Sequence, residues 1–169
     1  MLGSLFRRLT AEDAAGAALF DVVTARSRQP HWYVEGSVPD TLDGRFAVLS
    51  TVAALVLNRL EQFGDSGTAT SVALTERFIE VMESEHRELG LGDPTLGKKV
   101  RKLVGSLARR TELWRGAIGG GDWDGAARSS LYKAEIPPEA LRHSAEELQR
   151  FWTGLEQVDL QSLQQGKLQ

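Results

Sequence analysis

The feature that most constrains the fold is residues 46–57, FAVLSTVAALVL, a run of about twelve almost entirely apolar residues. A helix needs roughly 20 apolar residues to cross a bilayer, so this run is too short for a membrane span. With its flanks it has apolar side chains at helical spacing along one face (Leu42, Phe46, Leu49, Ala53, Val56, Leu60, Phe63) and also on the other (Val48, Val52, Leu55). A helix that is apolar nearly all round lies in the middle of its domain, so the sequence predicts a core built around it.

Five other segments have the spacing of amphipathic helices, at about residues 11–26, 71–89, 94–118, 122–133 and 139–155. No stretch alternates convincingly with period two, so strands are not predicted. We therefore expect an all-α, single-domain bundle of about six helices with short connections. Residues 1–9 are expected to be a flexible N-terminus, residues 10–156 the helical domain, and the Gln-rich residues 157–169 a tail that is weakly helical or disordered.

Local signals predict where the helices begin. Thr10 precedes an acidic turn and is expected to cap the first helix, and Asp40 or Thr41 is expected to cap the central one. Residues 64–70 are short, polar and rich in glycine, which indicates a loop. Pro94 suits the first turn of the helix that follows.

Composition excludes some classes of protein. The chain of 169 residues has no cysteine, so it has no disulfides, no thiolate nucleophile and no cysteine-ligated metal. The net charge of −3 is too small to imply a partner by itself. Glu12, Asp13 and Asp21 interrupt the apolar residues near the N-terminus, which argues against a signal peptide.

Motifs for catalysis or cofactors are weak. Residues 92–99 fit G-x-x-x-x-G-K, but a phosphate-binding loop follows a strand and continues with Ser or Thr, where this chain has Lys99. His31, His86 and His143 are not spaced as metal ligands and could meet only through tertiary structure. No serine has the surroundings of a nucleophile elbow. We predict no catalytic residues, no metal site and no cofactor.

Basic residues are concentrated in the fourth predicted helix. Six lie between Pro94 and Arg110, with no acid among them. Residues three and four apart share a helix face, which puts a basic surface opposite the apolar stripe (Lys98, Lys99, Arg101, Lys102). Such a surface favours lipid or RNA phosphates or an acidic protein, although an ordinary solvated helix face is an open alternative. No aromatic stacking platform accompanies it, so neither base-specific readout nor DNA binding is expected.

An aromatic loop precedes the central helix. His31, Trp32 and Tyr33 begin it, and their rings either plug the end of the bundle or form an anchor for a partner, because Trp and Tyr combine apolar area with a polar tip. Asp43 and Arg45 are expected to position this loop by capping and ion pairing. The predicted partner-binding residues are His31, Trp32, Tyr33, Asp40, Asp43 and Arg45.

Two segments together carry a family resemblance. HWYVEGSVPDTLDGRF, at residues 31–46, and ELGLGDPTLGKKVRKL, at residues 88–103, resemble the ubiquinol–cytochrome c chaperone family in its bacterial form. The similarity covers roughly residues 14–148. In this family the second segment leads into a basic helix, which accounts for the chance match to a phosphate-binding loop.

The resemblance implies an assembly factor for ubiquinol–cytochrome c reductase that has no catalytic activity and binds newly made cytochrome b. Mitochondrial members act with a small partner protein near the ribosomal exit and the inner membrane. This chain lacks their long N-terminal extension, so we expect a bacterial cytoplasmic protein that visits the membrane surface. The basic surface could then meet anionic lipid or the ribosome. The alternative is a helical bundle that encloses haem, a quinone or another apolar small molecule.

Overall fold

Seven α-helices form in the part of the chain that the computed structural model describes, residues 2–88, 90 and 92–168; of residues 2–9 and 93 it describes only the backbone. A short 3-10 helix, Pro30–Trp32, lies between the first two, and no strand occurs in these ranges. The helices are α1 (Leu2–Ser27), α2 (Leu42–Glu61), α3 (Asp65–Glu88), α4 (Asp93–Ile118), α5 (Trp123–Leu131), α6 (Pro138–Glu156) and α7 (Leu160–Gln164). The prediction of an all-α, single-domain bundle is confirmed.

Helix α2 is the centre of the bundle, as its composition predicts. It packs against α1, α3, α4, α5 and α6, and every residue from 50 to 58 is buried. The polar side chains in this buried stretch are hydrogen-bonded, as burial requires. The Ser50 and Thr51 hydroxyls donate to carbonyls in the preceding turn, and the Asn58 amide donates to the Thr111 carbonyl of α4 at 2.9 Å. Asn58 thereby ties the two helices together.

The start of α2 also agrees with prediction. Thr41 is the N-cap, and its hydroxyl accepts a hydrogen bond from the Gly44 amide at 3.2 Å. Pro94 lies in the first turn of α4. Residue 89, the predicted end of α3, lies outside the described residues. None of the described helices has the length and hydropathy of a bilayer span.

Two predicted boundaries are wrong. Helix α1 begins at Leu2 rather than after a cap at Thr10, because residues 4–9 contain no helix breaker and continue the helix backwards. Helix α3 begins at Asp65, so the predicted loop at residues 64–70 is mostly its first turns. Gly67 marks close packing there, since an added Cβ would overlap the carbonyl oxygen of Leu60.

One apolar position was misassigned, and one of the two alternatives for the tail fits the structure. Leu42 was placed on the core face of α2 but is 70% exposed, because the helix begins at this residue and its first turn lies outside the bundle. In the Gln-rich tail, Asp159 caps α7, and Leu163 is fully buried. Helix α7 packs against α1, with Val158 and Leu163 buried and Leu160 and Leu168 packed against the core, so the helical alternative for this segment fits.

Candidate functional site

The rings of the aromatic loop, residues 28–41, plug the end of the bundle. Trp32 is fully buried, and its indole N–H donates to the Arg26 carbonyl at 2.9 Å. Tyr33 is half-buried, and its hydroxyl donates to the Ser27 carbonyl at 2.9 Å. Both side chains thus satisfy carbonyls at the C-terminal end of α1, which otherwise lack helical partners. Because the Trp32 side chain is fully buried, a partner cannot contact it. Trp32 instead stabilises the conformation of the aromatic loop.

A second set of contacts fixes the middle of the aromatic loop to α6. The Tyr132 hydroxyl donates to the Gly36 carbonyl at 2.6 Å and shares another hydrogen bond with the Ser144 hydroxyl, also at 2.6 Å. Burial raises the pKa of Tyr132, which keeps the phenol a donor. An added Cβ at Gly36 would lie 2.6 Å from the Trp32 carbonyl oxygen, so only glycine fits.

His31 and His143 meet across the tertiary structure. Nδ1 of His31 lies 3.1 Å from Nε2 of His143, and Nε2 of His31 lies 3.1 Å from Oε1 of Gln29. In the neutral pair, Nε2 of His31 donates to Gln29, and its Nδ1 accepts from His143. No group of three or more potential metal ligands occurs among the described residues, so the geometry is that of a hydrogen-bonded pair between loop and α6.

The titration of His31 makes the stability of the fold depend on pH. Burial lowers the pKa of His31 and His143 adds to the effect, while Glu147 opposes it. Because the folded-state pKa lies below the unfolded value of 6.5, the unfolded chain takes up the proton first on acidification. The stability that the neutral His31 side chain contributes is therefore fully present above pH 6.5 and is lost as the pH falls below this value. When the pH is lowered from about 7.5 to about 5.5, we expect the free energy of unfolding to fall less in His31→Gln than in the wild type.

Urea unfolding at the two pH values measures this difference. His86→Gln is the matched control, since His86 is half-buried on α3 and its one hydrogen bond to a described residue is with the Met82 carbonyl one turn before it, at 2.7 Å. Equal losses in the wild type and His31→Gln would contradict the prediction.

The acidic and basic residues around the start of α2 are exposed and paired. Arg45 contacts Asp40 at 2.6 Å, and Lys133, between α5 and α6, contacts Asp43 at 2.6 Å. The prediction that ion pairing positions this segment agrees with these contacts, although exposed pairs contribute little stability. The hydrogen bond from Lys133 lowers the pKa of Asp43, and the charges of Lys102 and Lys99 on α4 lower it further. Charges of the second segment of the resemblance therefore act on Asp43, in the first.

The predicted basic surface is exposed. Lys98, Lys99, Arg101 and Lys102 are all exposed, and none has an ion-pair partner among the described residues. Arg110, the last cation of the run, differs. It is half-buried and donates to the Ser130 carbonyl at 2.8 Å, with its guanidinium 5.9 Å from the Phe46 ring centre. Arg110 therefore joins α4 to α5 and α2, and it does not belong to the exposed surface.

Sequence reasoning did not predict that two large apolar residues near the site are exposed. Val34 and Leu42 are each 70% exposed, Val34 in the aromatic loop and Leu42 at the start of α2. Helical spacing assigned Leu42 to the core, and no periodic pattern covers Val34. The signal in the sequence is that both residues lie beside turn residues, where the chain leaves or enters a helix.

A surface groove runs between α3 and α4, with α2 as its floor. Its volume is about 300 Å³, and its lining combines apolar residues with small polar ones (Leu57, Ser71, Thr75, Val104, Leu107, Ala108, Thr111). The ion pair of Glu61 with Arg115, at 2.8 Å, lies at its edge. The small side chains leave room for another backbone to approach.

Comparisons with known proteins identify the family. The family model described as ubiquinol–cytochrome C chaperone matches residues 35–168, beginning just after the aromatic triplet and reaching further towards the C-terminus than the two motifs indicated. The chain is also similar to the Cbp3 homolog from Brucella abortus, whose crystal structure matches with a TM-score of 0.79 and 27% identity over 98% of this chain and 94% of that one. No match was found among curated proteins. The chain belongs to the ubiquinol–cytochrome c chaperone family.

Proposed function

We propose that this protein is a non-catalytic assembly chaperone for ubiquinol–cytochrome c reductase that binds newly made cytochrome b near the membrane. The observation that carries the proposal is the family match over residues 35–168, which includes the whole of α2 to α7. The similarity to the Cbp3 homolog extends over almost the whole chain and supports the same role. We further propose that the protein works from the cytoplasm, peripherally at the inner membrane.

The groove between α3 and α4 is the proposed place for an apolar segment of the client. A helix binds in a groove by laying its apolar face against apolar walls, which Val104, Leu107 and Ala108 would supply here. Ser71 and Thr75 form the opposite wall, and small residues of this kind let two helices approach closely. No nucleotide is needed for such binding, because burial of apolar surface drives it.

The aromatic loop supports this function indirectly. We propose that His31, Trp32 and Tyr33 act by holding the loop against α1 and α6, and that the exposed residues Asp40, Asp43 and Arg45 are available to a partner. Their contribution to client binding stays a prediction. It is separable from the groove, because these residues do not line it.

Filling the groove tests where the client binds. Ala108 is exposed, so Ala108→Trp can place an indole in the groove without burying it in the core. We expect the tagged variant to capture at least about tenfold less cytochrome b from detergent-solubilised cells, equivalent to about 1.4 kcal/mol. The matched control is Ala14→Trp, which adds the same side chain to an exposed position on α1. Equal capture by both folded variants would remove the groove from the proposal, and no capture by the wild type would overturn the proposed client.

A further inference from the structure

Two exposed hydrophobic residues lie in the segment that leads into α2. Val34 and Leu42 are the most exposed large hydrophobic side chains in the described part of the chain, each at 70%. Val34 lies in a loop fixed by the hydrogen bonds of Trp32, Tyr33 and Tyr132, and Leu42 is the first residue of α2. Both side chains are therefore held in solvent by a rigid support, where they gain nothing from the fold.

Cations gather beside Leu42. Its neighbour Asp43 contacts Lys133 at 2.6 Å and lies within the field of Lys102 and Lys99, which lower the pKa of its carboxyl further. The two acids nearest Leu42 in the sequence are already paired, Asp40 with Arg45 and Asp43 with Lys133, whereas Glu35, beside Val34, is exposed. The lysines of α4 consequently supply an uncompensated positive charge, since neither has an ion-pair partner among the described residues.

We propose that this surface docks the protein on an anionic lipid bilayer, with Leu42 in the interface and Lys99 and Lys102 on the lipid phosphates. We call it the lipid-docking surface. It combines the two contributions that peripheral membrane binding requires, an apolar side chain that enters the headgroup region and basic residues that meet negative lipid. The proposal rests on the proposed function in one respect: the client of the chaperone is a membrane protein.

The charge of the surface favours a bilayer over the other available partners. Cytoplasmic segments of a membrane protein are rich in Lys and Arg, so lysines in this position would repel the client. RNA would accept the lysines but would give Leu42 no apolar environment. Single-stranded RNA is usually bound by exposed aromatic rings, whereas Trp32 is fully buried.

Vesicle flotation tests the lipid-docking surface with the full chain. We expect binding to vesicles of phosphatidylglycerol and phosphatidylcholine, and little binding to phosphatidylcholine alone. Each lysine near a membrane surface is worth about fivefold in partitioning, so Lys99→Gln/Lys102→Gln should bind about 25-fold more weakly. Leu42→Gln should bind about tenfold more weakly, because it removes a leucine side chain from the interface.

Matched controls separate this surface from general charge or hydrophobicity. Arg109→Gln removes an exposed cation two turns beyond Lys102 on α4, and Val72→Gln removes an apolar side chain that is 49% exposed on α3. Both should bind vesicles like the wild type. Leu42 is exposed, so circular dichroism should show that its variant folds normally.

The contrary outcomes are distinct. Equal binding to neutral vesicles, absent binding to anionic ones, or wild-type binding by Leu42→Gln would each overturn the proposal. Binding to RNA that Leu42→Gln leaves unchanged, without vesicle binding, would assign the lysines to RNA instead. Capture of cytochrome b in detergent is measured without a bilayer. Loss of vesicle binding with normal capture therefore concerns only this surface, and failed capture with normal vesicle binding concerns only the proposed function.

Discussion

Replacing Trp32 with alanine is expected to lower the free energy of unfolding by about 3–5 kcal/mol, the usual cost of removing a large buried aromatic side chain. The indole is fully buried, so the variant loses its packing and leaves a cavity under the aromatic loop. It also removes the hydrogen bond to the Arg26 carbonyl at the end of α1. For a domain whose total stability is about 5–15 kcal/mol, this loss is large enough to populate unfolded chains.

Urea unfolding of the wild type and Trp32→Ala measures the change. Tyr33→Phe is the control, because it keeps the ring beside Trp32 and removes only the hydroxyl that donates to the Ser27 carbonyl. Its cost should be about 1 kcal/mol, that of one hydrogen bond. A loss below about 1 kcal/mol in Trp32→Ala would show that the ring is not a structural plug. Any effect of this variant on client capture has to be judged against its stability.

The sequence was sufficient for the central helix and its start. Residues 50–58 are apolar on every side apart from short hydroxyl and amide groups, and these can bond to nearby carbonyls, so the segment had to be buried. Thr41 is a good cap with glycine three residues later, and its hydroxyl accepts from the Gly44 amide. Such signals act within one or two turns, which is why local sequence reveals them.

Helix ends that depend on packing could not be predicted in the same way. A glycine among polar residues usually indicates a loop. Gly67 instead lies in the first turn of α3, where only glycine can approach the Leu60 carbonyl so closely. Leu42 has the right spacing for the core face, but α2 begins there, and the residue lies outside the bundle. Helical periodicity predicts which face of a helix a residue lies on, but it does not predict how deeply that residue is buried.

The candidate site was predicted in its parts and missed in its arrangement. The sequence indicated an aromatic loop and an exposed basic surface, whereas the contact of Asp43 with Lys133 and the influence of Lys102 and Lys99 on its pKa came only from the fold. His31 and His143 are likewise 112 positions apart and 3.1 Å from each other. Contacts of such long sequence separation follow from how helices pack, and a single sequence contains no direct signal for them.

Gly44→Ala is expected to have the second large effect, a loss of about 3 kcal/mol in the free energy of unfolding. The new Cβ would overlap the carbonyl oxygen of Pro39 and would lie 3.0 Å from the carbonyl carbon and 3.4 Å from Cγ1 of Val38. These are mainly backbone atoms of a proline, which cannot rotate away as a flexible side chain could. Overpacking of this kind costs 1–3 kcal/mol and occasionally more, and it exceeds the gain of up to about 1 kcal/mol that alanine brings to a helix.

Gly116→Ala isolates that helix gain, because Gly116 is also helical and an added Cβ there would meet nothing within 4 Å. The control variant should be more stable than the wild type by about 0.5–1 kcal/mol, while Gly44→Ala is less stable, so one substitution type changes sign between two helices. The strain at Gly44 can be relieved only by moving residues 38–39 away from the first turn of α2. That movement would displace Leu42 and Asp43 together, so Gly44→Ala should also weaken binding to anionic vesicles if these residues form the lipid-docking surface. Wild-type stability in Gly44→Ala would contradict the close approach of Pro39 to α2 on which this argument depends.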